Sequence, residues 1–218
     1  MKTRKHTYIL WKTIFSIVVI LSTNALLMAC HNKNMEDEGP QKNVLISLQP
    51  FDNFTQKEAE SLQKDLEKNL SPLIGDIGVQ IEILPNKPLS DDLKNDTKNR
   101  YRADKIINSL EKNANKKNII IGLTHHDVSI TYKGHQDWGV LGLSRHSKKA
   151  CVVSTFRLRN RRDLWRLTTH EFIHTYFKYA HCPEDNNTCI MKDAKGHADF
   201  SNKSTLCKTC KENIIKAQ

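Results

Sequence analysis

Apolar residues follow two different periods between residues 44 and 154. Short runs rich in β-branched residues at Val44–Leu48, Val79–Ile83 and Ile119–Leu123 have the pattern of strands. Between these runs, apolar residues recur every three to four positions, first from Thr55 and again across Arg102–Asn113, which predicts two amphipathic helices. The order strand, helix, strand, helix, strand is typical of an α/β fold with a mixed, mostly parallel sheet.

Weaker patterns follow along the chain. The stretch Asn86–Lys98 is rich in Asp and Asn, which predicts a loop. Two further strands are predicted at Gly139–Leu143 and Ala150–Ser154, and a third helix at Asn160–Phe177. The last forty or so residues have little apolar periodicity and are rich in Cys, Asn and Lys. Because such a segment buries little surface, we expect a disulfide or metal staple to hold it.

The N-terminus has the organisation of an export signal followed by a tether. Basic residues up to Lys12 precede the apolar run Thr13–Leu21, and residues 27–30 are Leu, Met, Ala and Cys. A basic, an apolar and a small-residue region in that order predict a secretory signal peptide over residues 1–29. The final four residues resemble a bacterial lipobox, which predicts that Cys30 is lipidated and becomes the new N-terminus. The polar residues 30–42 are predicted to be a flexible tether.

The alternative for this segment is an uncleaved membrane anchor. However, the polar residues 22–24 interrupt the apolar run before it reaches the roughly 18 residues of a spanning helix. A lipidated cysteine of this class has more than one acyl chain, which makes anchoring stable. We therefore expect a protein that is lipid-anchored at the bacterial cell envelope, on the outer membrane or cell surface, with the membrane as a partner through Cys30.

The charge of the chain does not indicate a nucleic-acid partner. The 218 residues have a formal net charge of +10, but residues 1–29 supply four basic residues and no acidic one. The rest of the chain holds 30 basic and 24 acidic residues, and the two signs are interleaved. This distribution is typical of a solvated surface, and no RNA- or DNA-binding motif accompanies it.

Residues 170–174 form the motif His-Glu-Phe-Ile-His within the third predicted helix. Residues four apart on an α-helix are one turn apart and about 40° apart around the axis, so His170 and His174 face the same point. Two imidazoles so arranged are typical zinc ligands. Glu171 lies one step round the helix, where it can take a proton from a metal-bound water without ligating the metal. The alternative is two partly exposed histidines without a metal.

Further potential ligands follow the motif. A catalytic zinc takes a third protein ligand and keeps an open position, and His181 lies seven residues after His174. The cysteines of this segment are Cys182, Cys189, Cys207 and Cys210. Four cysteines, two of them spaced as CxxC, fit a tetrahedral thiolate zinc site. The competing interpretation is two disulfides, which export makes feasible.

Taken together, these residues resemble a known family. HExxH, then a third His directly followed by Cys, then C-x-M and a distal CxxC are similar to the pattern of the archaemetzincins (archaelysins), which are zinc metallopeptidases of the metzincin type. The segments 99–110, 139–145 and 151–158 are also similar to the family's sequence before the motif. The likeness runs from about Val44 to Cys210.

The resemblance implies a metzincin-like zincin fold with an active-site helix and a small Cys-rich C-terminal subdomain stapled by zinc. It implies that His170, His174 and His181 bind a catalytic zinc and that Glu171 is the general base. It assigns Met191 to the Met-turn beneath the metal. It also implies a second, structural zinc, whose ligands are Cys182, Cys189, Cys207 and Cys210.

The expected activity is the hydrolysis of peptide bonds by a metal-activated water, with a peptide or protein as substrate and Zn2+ as cofactor, one ion catalytic and one structural. The predicted catalytic domain covers residues 43–218, divided into an α/β part (43–175) and the Cys-rich part (176–218). The runner-up is a zinc-scaffold lipoprotein that binds peptides with little or no catalysis. A weaker third option is a structural envelope protein stapled by disulfides.

The chain departs from the family pattern just after the motif. The family's third His position is Ala180 here, and His181 lies one residue further on. The family pattern has a glycine three residues after the second His of the motif. That position corresponds to Phe177 here, or to Lys178 if the extra residue precedes it. A loop absorbs one inserted residue and His181 keeps its Cys neighbour, so we expect His181 to be a ligand. Because Gly accepts backbone angles that other residues resist, its loss is expected to affect catalysis more than metal binding.

Three other features have simpler explanations than metal binding. Cys151 lies in an apolar strand-like run and is predicted to be a buried thiol. His197 and Asp199 are alternative ligands, but we expect them in a solvent-facing loop. The run His125-His126-Asp127 follows a predicted strand, so a surface turn is expected there rather than a metal cluster.

Overall fold

The computed structural model describes residues 44–75, 77–96, 99–114, 118–194 and 199–217. The predicted signal peptide (1–29), tether (30–42), lipidated Cys30 and alternative ligand His197 lie outside the described residues. The described residues belong to one compact unit. None of the helices within these ranges is both long and apolar enough to cross a membrane.

Five strands form the main sheet. They are β1 (Val44–Pro50), β2 (Val79–Ile83), β4 (Asn118–Thr124), β7 (Gly142–Ser144) and β8 (Ala150–Ser154). Their order is β2-β1-β4-β8-β7, and every pair is parallel except the antiparallel pair of β7 and β8. The mixed, mostly parallel sheet predicted from the alternation of elements is confirmed.

The described helices cover both faces of this sheet. They are α1 (Gln56–Ile74), α2 (Ala103–Glu111), α3 (Leu164–Tyr176) and α4 (Lys208–Lys216). Because side chains alternate along a strand, Ile119 and Ile121 of β4 pack in the core with α1, α3 and α4, whereas Ile120 packs in the core with α2. The result is a three-layer α/β/α arrangement.

The capping box that starts α1 is present. Thr55 Oγ1 accepts a hydrogen bond from the backbone N–H of Glu58 at 3.2 Å, and the Glu58 carboxylate accepts one from the N–H of Thr55 at 2.9 Å. Each group satisfies a donor that the first helical turn leaves without an intrahelical partner.

A second, smaller sheet was not predicted. It contains β3 (Tyr101–Arg102), β5 (Val128–Tyr132) and β6 (His135–Val140), in the order β3-β5-β6. A tight turn joins β5 to β6, with positive φ at Lys133 and Gly134, as two-residue hairpins require. The predicted strand Gly139–Leu143 is wrong in its bounds, because the chain leaves the small sheet after Val140 and enters the main sheet at Gly142.

The C-terminal segment differs from expectation in one respect. It contains α4, which the sequence pattern did not predict because Cys210 and Ile214 are its two buried positions. The segment also packs into the main core through Met191, Phe200 and Ile214, which are fully or almost fully buried. Burial and the cysteine cluster therefore hold it together. The third predicted helix begins as a single 3-10 turn at Arg161–Asp163 before α3.

Candidate metal centres

The three histidines singled out by the sequence lie together. His170 and His174 are one turn apart on α3, and His181 lies in the segment that follows. One ring nitrogen from each lies within 4.8 Å of the others. The Nε2 atoms of His170 and His174 are 3.0 Å apart, close to the ~3.3 Å between two nitrogens bound to zinc at 2.0–2.1 Å in tetrahedral geometry.

Backbone carbonyls fix the tautomers of the two helix histidines. Nδ1 of His170 donates to the carbonyl of Ile190 at 2.8 Å, and Nδ1 of His174 donates to the carbonyl of Tyr179 at 2.6 Å. Since a carbonyl only accepts, each Nδ1 holds the proton and each Nε2 presents a lone pair. Two lone pairs that face each other at 3.0 Å repel unless a cation lies between them. The donor set therefore fits zinc.

All three histidines favour the neutral, ligating form. Burial lowers the pKa of His174 to about 4 and lowers the pKa of His170 well below its ordinary value, with a further contribution from His174. Desolvation also lowers the pKa of His181, and the nearby Asp193 opposes this shift.

Glu171 lies beside the histidines against the edge strand of the main sheet. Burial raises the pKa of its carboxyl to about 8, and a hydrogen bond from Ser144 partly opposes that rise. A Cβ atom added to Gly142 would lie 2.7 Å from Glu171 Oε1. Any side chain at position 142 would therefore displace the carboxylate, so the glycine makes room for it.

The four C-terminal cysteines form a second cluster. Their Sγ atoms all lie within 4.8 Å of one another, and none of the described cysteines is in a disulfide. Sγ of Cys182 and Cys207 are 3.6 Å apart. A disulfide requires about 2.05 Å, whereas two sulfurs on a tetrahedral zinc at about 2.3 Å lie roughly 3.8 Å apart. The cluster fits a tetrathiolate zinc.

Backbone N–H groups add to this fit. Cys207 Sγ accepts from the N–H of Cys210 at 3.5 Å, and Cys189 Sγ accepts from the N–H of Cys207 at 3.4 Å. Burial alone would raise the pKa of Cys207, but the N–H of Cys210 and the neighbouring thiols outweigh burial and lower it. Burial raises the pKa of Cys182 to about 11. Such N–H donors favour thiolates, the form that binds zinc.

The segment between α3 and the cysteines links the two clusters. Tyr179 contributes its carbonyl to His174 and its hydroxyl to Cys210 Sγ, at 3.5 Å. Ile190, which supplies the carbonyl for His170, lies between Cys189 and Met191 in sequence. Met191 is fully buried, and its carbonyl accepts from the N–H of Cys182 at 2.8 Å.

The departure from the family pattern lies in the turn after α3. Phe177 has right-handed helical angles, and Lys178 has φ +56°. Lys178 is thus the residue in the backbone conformation that glycine prefers, and Phe177 is not. From there the chain brings His181, rather than Ala180, within reach of His170 and His174.

A cavity of about 1010 Å³ opens over the histidines and Glu171. The β5–β6 hairpin and the strand β7 line part of it, together with Asp193 and His146. Sequence reasoning missed Ser144, His146 and Asp193, because each is far from the motif in sequence and none belongs to a ligand pattern. It also missed Gly142, although this glycine and Ser144 both lie in the segment 139–145 that resembles the family.

The remaining sequence candidates lie elsewhere. Cys151 is fully buried in β8, as predicted, and burial raises the pKa of its thiol, with Glu171 as a second cause. Asp199 accepts from the N–H of Ser201 and lies 3.7 Å from Arg159. Residues 125–127 form a bend, and among the described residues they belong to no metal-binding group.

The fold is that of the archaemetzincins. Archaemetzincin from Methanopyrus kandleri superposes with a TM-score of 0.68 at 21% identity, covering 83% of this chain and 98% of that one. Archaemetzincin from Archaeoglobus fulgidus, complexed with malonate, gives 0.61 at 20% identity, covering 78% and 99%. A zinc-dependent peptidase from Methanocorpusculum labreanum gives 0.57 at 19% identity, also covering 78% and 99%.

At these identities the likeness establishes the fold, and it confirms the fold class that the sequence resemblance implied. No protein-family model and no curated protein matches the sequence.

Proposed function

We propose that the chain is a zinc metallopeptidase of the archaemetzincin family. The observation that supports this most directly is the pair of Nε2 atoms of His170 and His174, 3.0 Å apart with both Nδ1 atoms bonded to carbonyls. His181 completes a three-nitrogen set, and Glu171 lies beside it at the same cavity. This is the donor set of a catalytic zinc, with one position left for water or substrate.

Zinc bound at the three histidines would polarise a substrate carbonyl and lower the pKa of a bound water. Glu171 takes the proton from the attacking water and passes it to the leaving amine. A carboxylate suits both steps, since it can accept a proton from the water and then donate it to the amine. A hydrogen bond from Ser144 holds this carboxylate in place, and Gly142 leaves room for it.

In this proposal β7 aligns the substrate. This strand is the end strand of the main sheet, and all three of its residues line the cavity. Its outer edge pairs with no other strand in the part of the chain that the structure describes. An extended peptide can add to such an edge through main-chain hydrogen bonds, which brings a peptide bond next to Glu171.

The second ion in this proposal binds Cys182, Cys189, Cys207 and Cys210. The first ion is catalytic and this one is structural, so two zinc ions per chain are expected.

The test of the catalytic proposal is the variant Glu171→Gln, which keeps the shape of the side chain but cannot take a proton. Activity on a peptide panel should fall about a hundredfold or more, while metal analysis should still give two zinc ions. The exposed Glu67→Gln on α1 is the matched control and should remain active.

If the wild type and Glu171→Gln both hold two zinc ions but are equally inert over the whole panel, the catalytic proposal is wrong. Peptide binding without cleavage, measured on the same proteins, would then identify a zinc scaffold for peptides.

The same proposal places the protein at the bacterial cell envelope, anchored by lipid on Cys30. The sequence of residues 1–30 supports it, with its basic, apolar and lipobox regions in order. Cells that express the full chain and are fed a radiolabelled fatty acid should label the wild type, whereas Cys30→Ala should stay unlabelled. Equal labelling of the two proteins, or none of either, would refute the anchor.

A further inference from the structure

The β5–β6 hairpin has one polar and one apolar face. Ile130 pairs with Trp138 and Val128 pairs with Val140 across the two strands. Because side chains alternate along a strand, these four lie on one face, and the residues between them lie on the other. The first face is apolar over these two pairs.

Arginines from neighbouring segments engage the polar face. Arg100 Nη1 lies 3.0 Å from Asp137 Oδ2, and Arg102 Nη2 donates to Thr131 Oγ1 at 3.0 Å. Arg157 packs so close to Gly139 that an added Cβ would lie 2.3 Å from its guanidinium carbon. With the polar face held this way, Ile130, Trp138 and Val140 of the other face lie at the wall of the cavity over the histidines, where Gly139 and Arg157 also contribute.

Two large aromatic residues of this wall are exposed. Tyr132 and Trp138 have relative exposures of 45% and 43%, and their ring centroids are 5.8 Å apart. Both line the cavity that contains Glu171, together with Ile130 and Val140. An exposed apolar patch that continues into a candidate active site is typical of a binding surface. We call Tyr132 and Trp138 the aromatic pair.

The position of the pair relative to Glu171 follows from the chain itself. Gly142 contacts Glu171, so it serves as the reference position for the scissile peptide bond. Trp138 is four residues before Gly142, so at about 3.3 Å per residue the two lie at most roughly 13 Å apart. An extended peptide on β7 rises by a similar amount per residue, so Trp138 lies within about four substrate positions of the scissile bond.

We propose that the aromatic pair is a specificity subsite that accepts a large apolar side chain, best an aromatic one, within about four residues of the scissile bond. This inference rests on the proposed peptidase function. It also means that the substrate is a peptide long enough to extend from Glu171 to the hairpin.

The test uses a peptide series in which one phenylalanine is moved along an otherwise Ala- and Ser-rich sequence. The wild type should cleave one member at least about tenfold faster, by kcat/KM, than the all-alanine parent, since an apolar subsite discriminates by that order. Trp138→Ala should bring this ratio close to one. Phe156→Ala is the matched control, because Phe156 is 61% exposed and does not line this cavity; it should keep the ratio. Zinc content and circular dichroism should be the same for all three proteins.

Binding of the same peptides to the Glu171→Gln variant, with and without Trp138→Ala, separates this proposal from the peptidase proposal. Preference for a phenylalanine peptide that disappears with Trp138→Ala supports the subsite even if no peptide is cleaved. If the wild type cleaves or binds peptides but shows no preference for phenylalanine at any position, or if Trp138→Ala keeps the preference, the subsite is refuted. The subsite is also refuted if no peptide is cleaved and none binds.

Discussion

At the residue scale, Lys178 is the most informative departure from the archaemetzincin pattern. From the sequence, Phe177 and Lys178 were both candidates for the position of the missing glycine, and a sequence does not reveal which backbone φ is positive. In the structure Lys178 has φ +56° just after the end of α3. A left-handed conformation costs a non-glycine residue about 1–2 kcal/mol, so this turn holds strain that glycine would relieve.

Replacing Lys178 with glycine should therefore stabilise the protein. The expected gain in the free energy of unfolding is about 1 kcal/mol, reduced by loss of the hydrogen bond from Lys178 Nζ to the carbonyl of Lys148. Denaturant titration of zinc-saturated protein measures it. Phe177→Gly is the control, because Phe177 is buried in right-handed geometry, and it should destabilise by about 2 kcal/mol or more. A lower stability of Lys178→Gly than of the wild type would show that the turn is not strained.

At the element scale, α3 and the segment that follows it connect the histidine cluster to the cysteine cluster. His174 depends on the carbonyl of Tyr179, whose hydroxyl contacts Cys210, and His170 depends on the carbonyl of Ile190, next to Cys189. His181 directly precedes Cys182. The spacing of the motif predicts that His170 and His174 face one point. It does not predict these carbonyl acceptors, because they come from loop backbone whose path depends on the packing of Met191 and Phe200 in the core.

Because of this arrangement, we expect loss of the cysteine site to disturb metal binding at the histidines, whereas loss of a histidine ligand should leave the cysteine site intact. Cys207→Ser should lower the zinc content from two ions to nearly none, since the loops that orient the histidines lose their anchor. His181→Ala should remove one ion only and leave the thiolate site filled. Metal analysis of each variant, with cobalt absorption to identify thiolate ligation, measures the outcome.

Tyr179→Phe is a milder variant, because it keeps all seven proposed ligands and removes only the hydroxyl from Cys210. It should weaken zinc binding at the histidines severalfold while the tetrathiolate absorption stays unchanged. If Cys207→Ser retains the histidine ion and Tyr179→Phe binds as the wild type does, the two sites are independent.

At the scale of the whole molecule, sequence patterns predicted what depends on local order. Alternating strands and helices predicted the layered α/β core, and the order of His and Cys residues predicted which side chains would come together. The hairpin beside the cavity was missed, because residues 139–143 have one continuous pattern although Val140 and Gly142 belong to different sheets. Which sheet a short strand joins depends on partners such as Arg100 and Arg157, which are distant in sequence.

The C-terminal segment was expected to depend on a staple, but it also contributes to the main core. How much of its stability comes from metal binding and how much from burial can be measured. Residues 179–194 and 199–217 have one helix and a single isolated bridge, between Cys189 and Thr205, and their other backbone hydrogen bonds are those of turns and loops. The strands β1, β4 and β8 instead pair with a strand on each side, and all of their residues except Leu45 are buried.

Removing zinc with a chelator should therefore accelerate amide hydrogen exchange in the C-terminal segment by about a hundredfold or more, since structural zinc contributes several kcal/mol to folding. Exchange in β1, β4 and β8 should change little, and adding zinc back should restore protection. Mass spectrometry of peptic fragments resolves the two regions. Unchanged exchange throughout would mean that burial of Met191, Phe200 and Ile214 is sufficient without metal. Equal acceleration in the sheet would mean that the cysteine cluster holds the whole domain and not this segment alone.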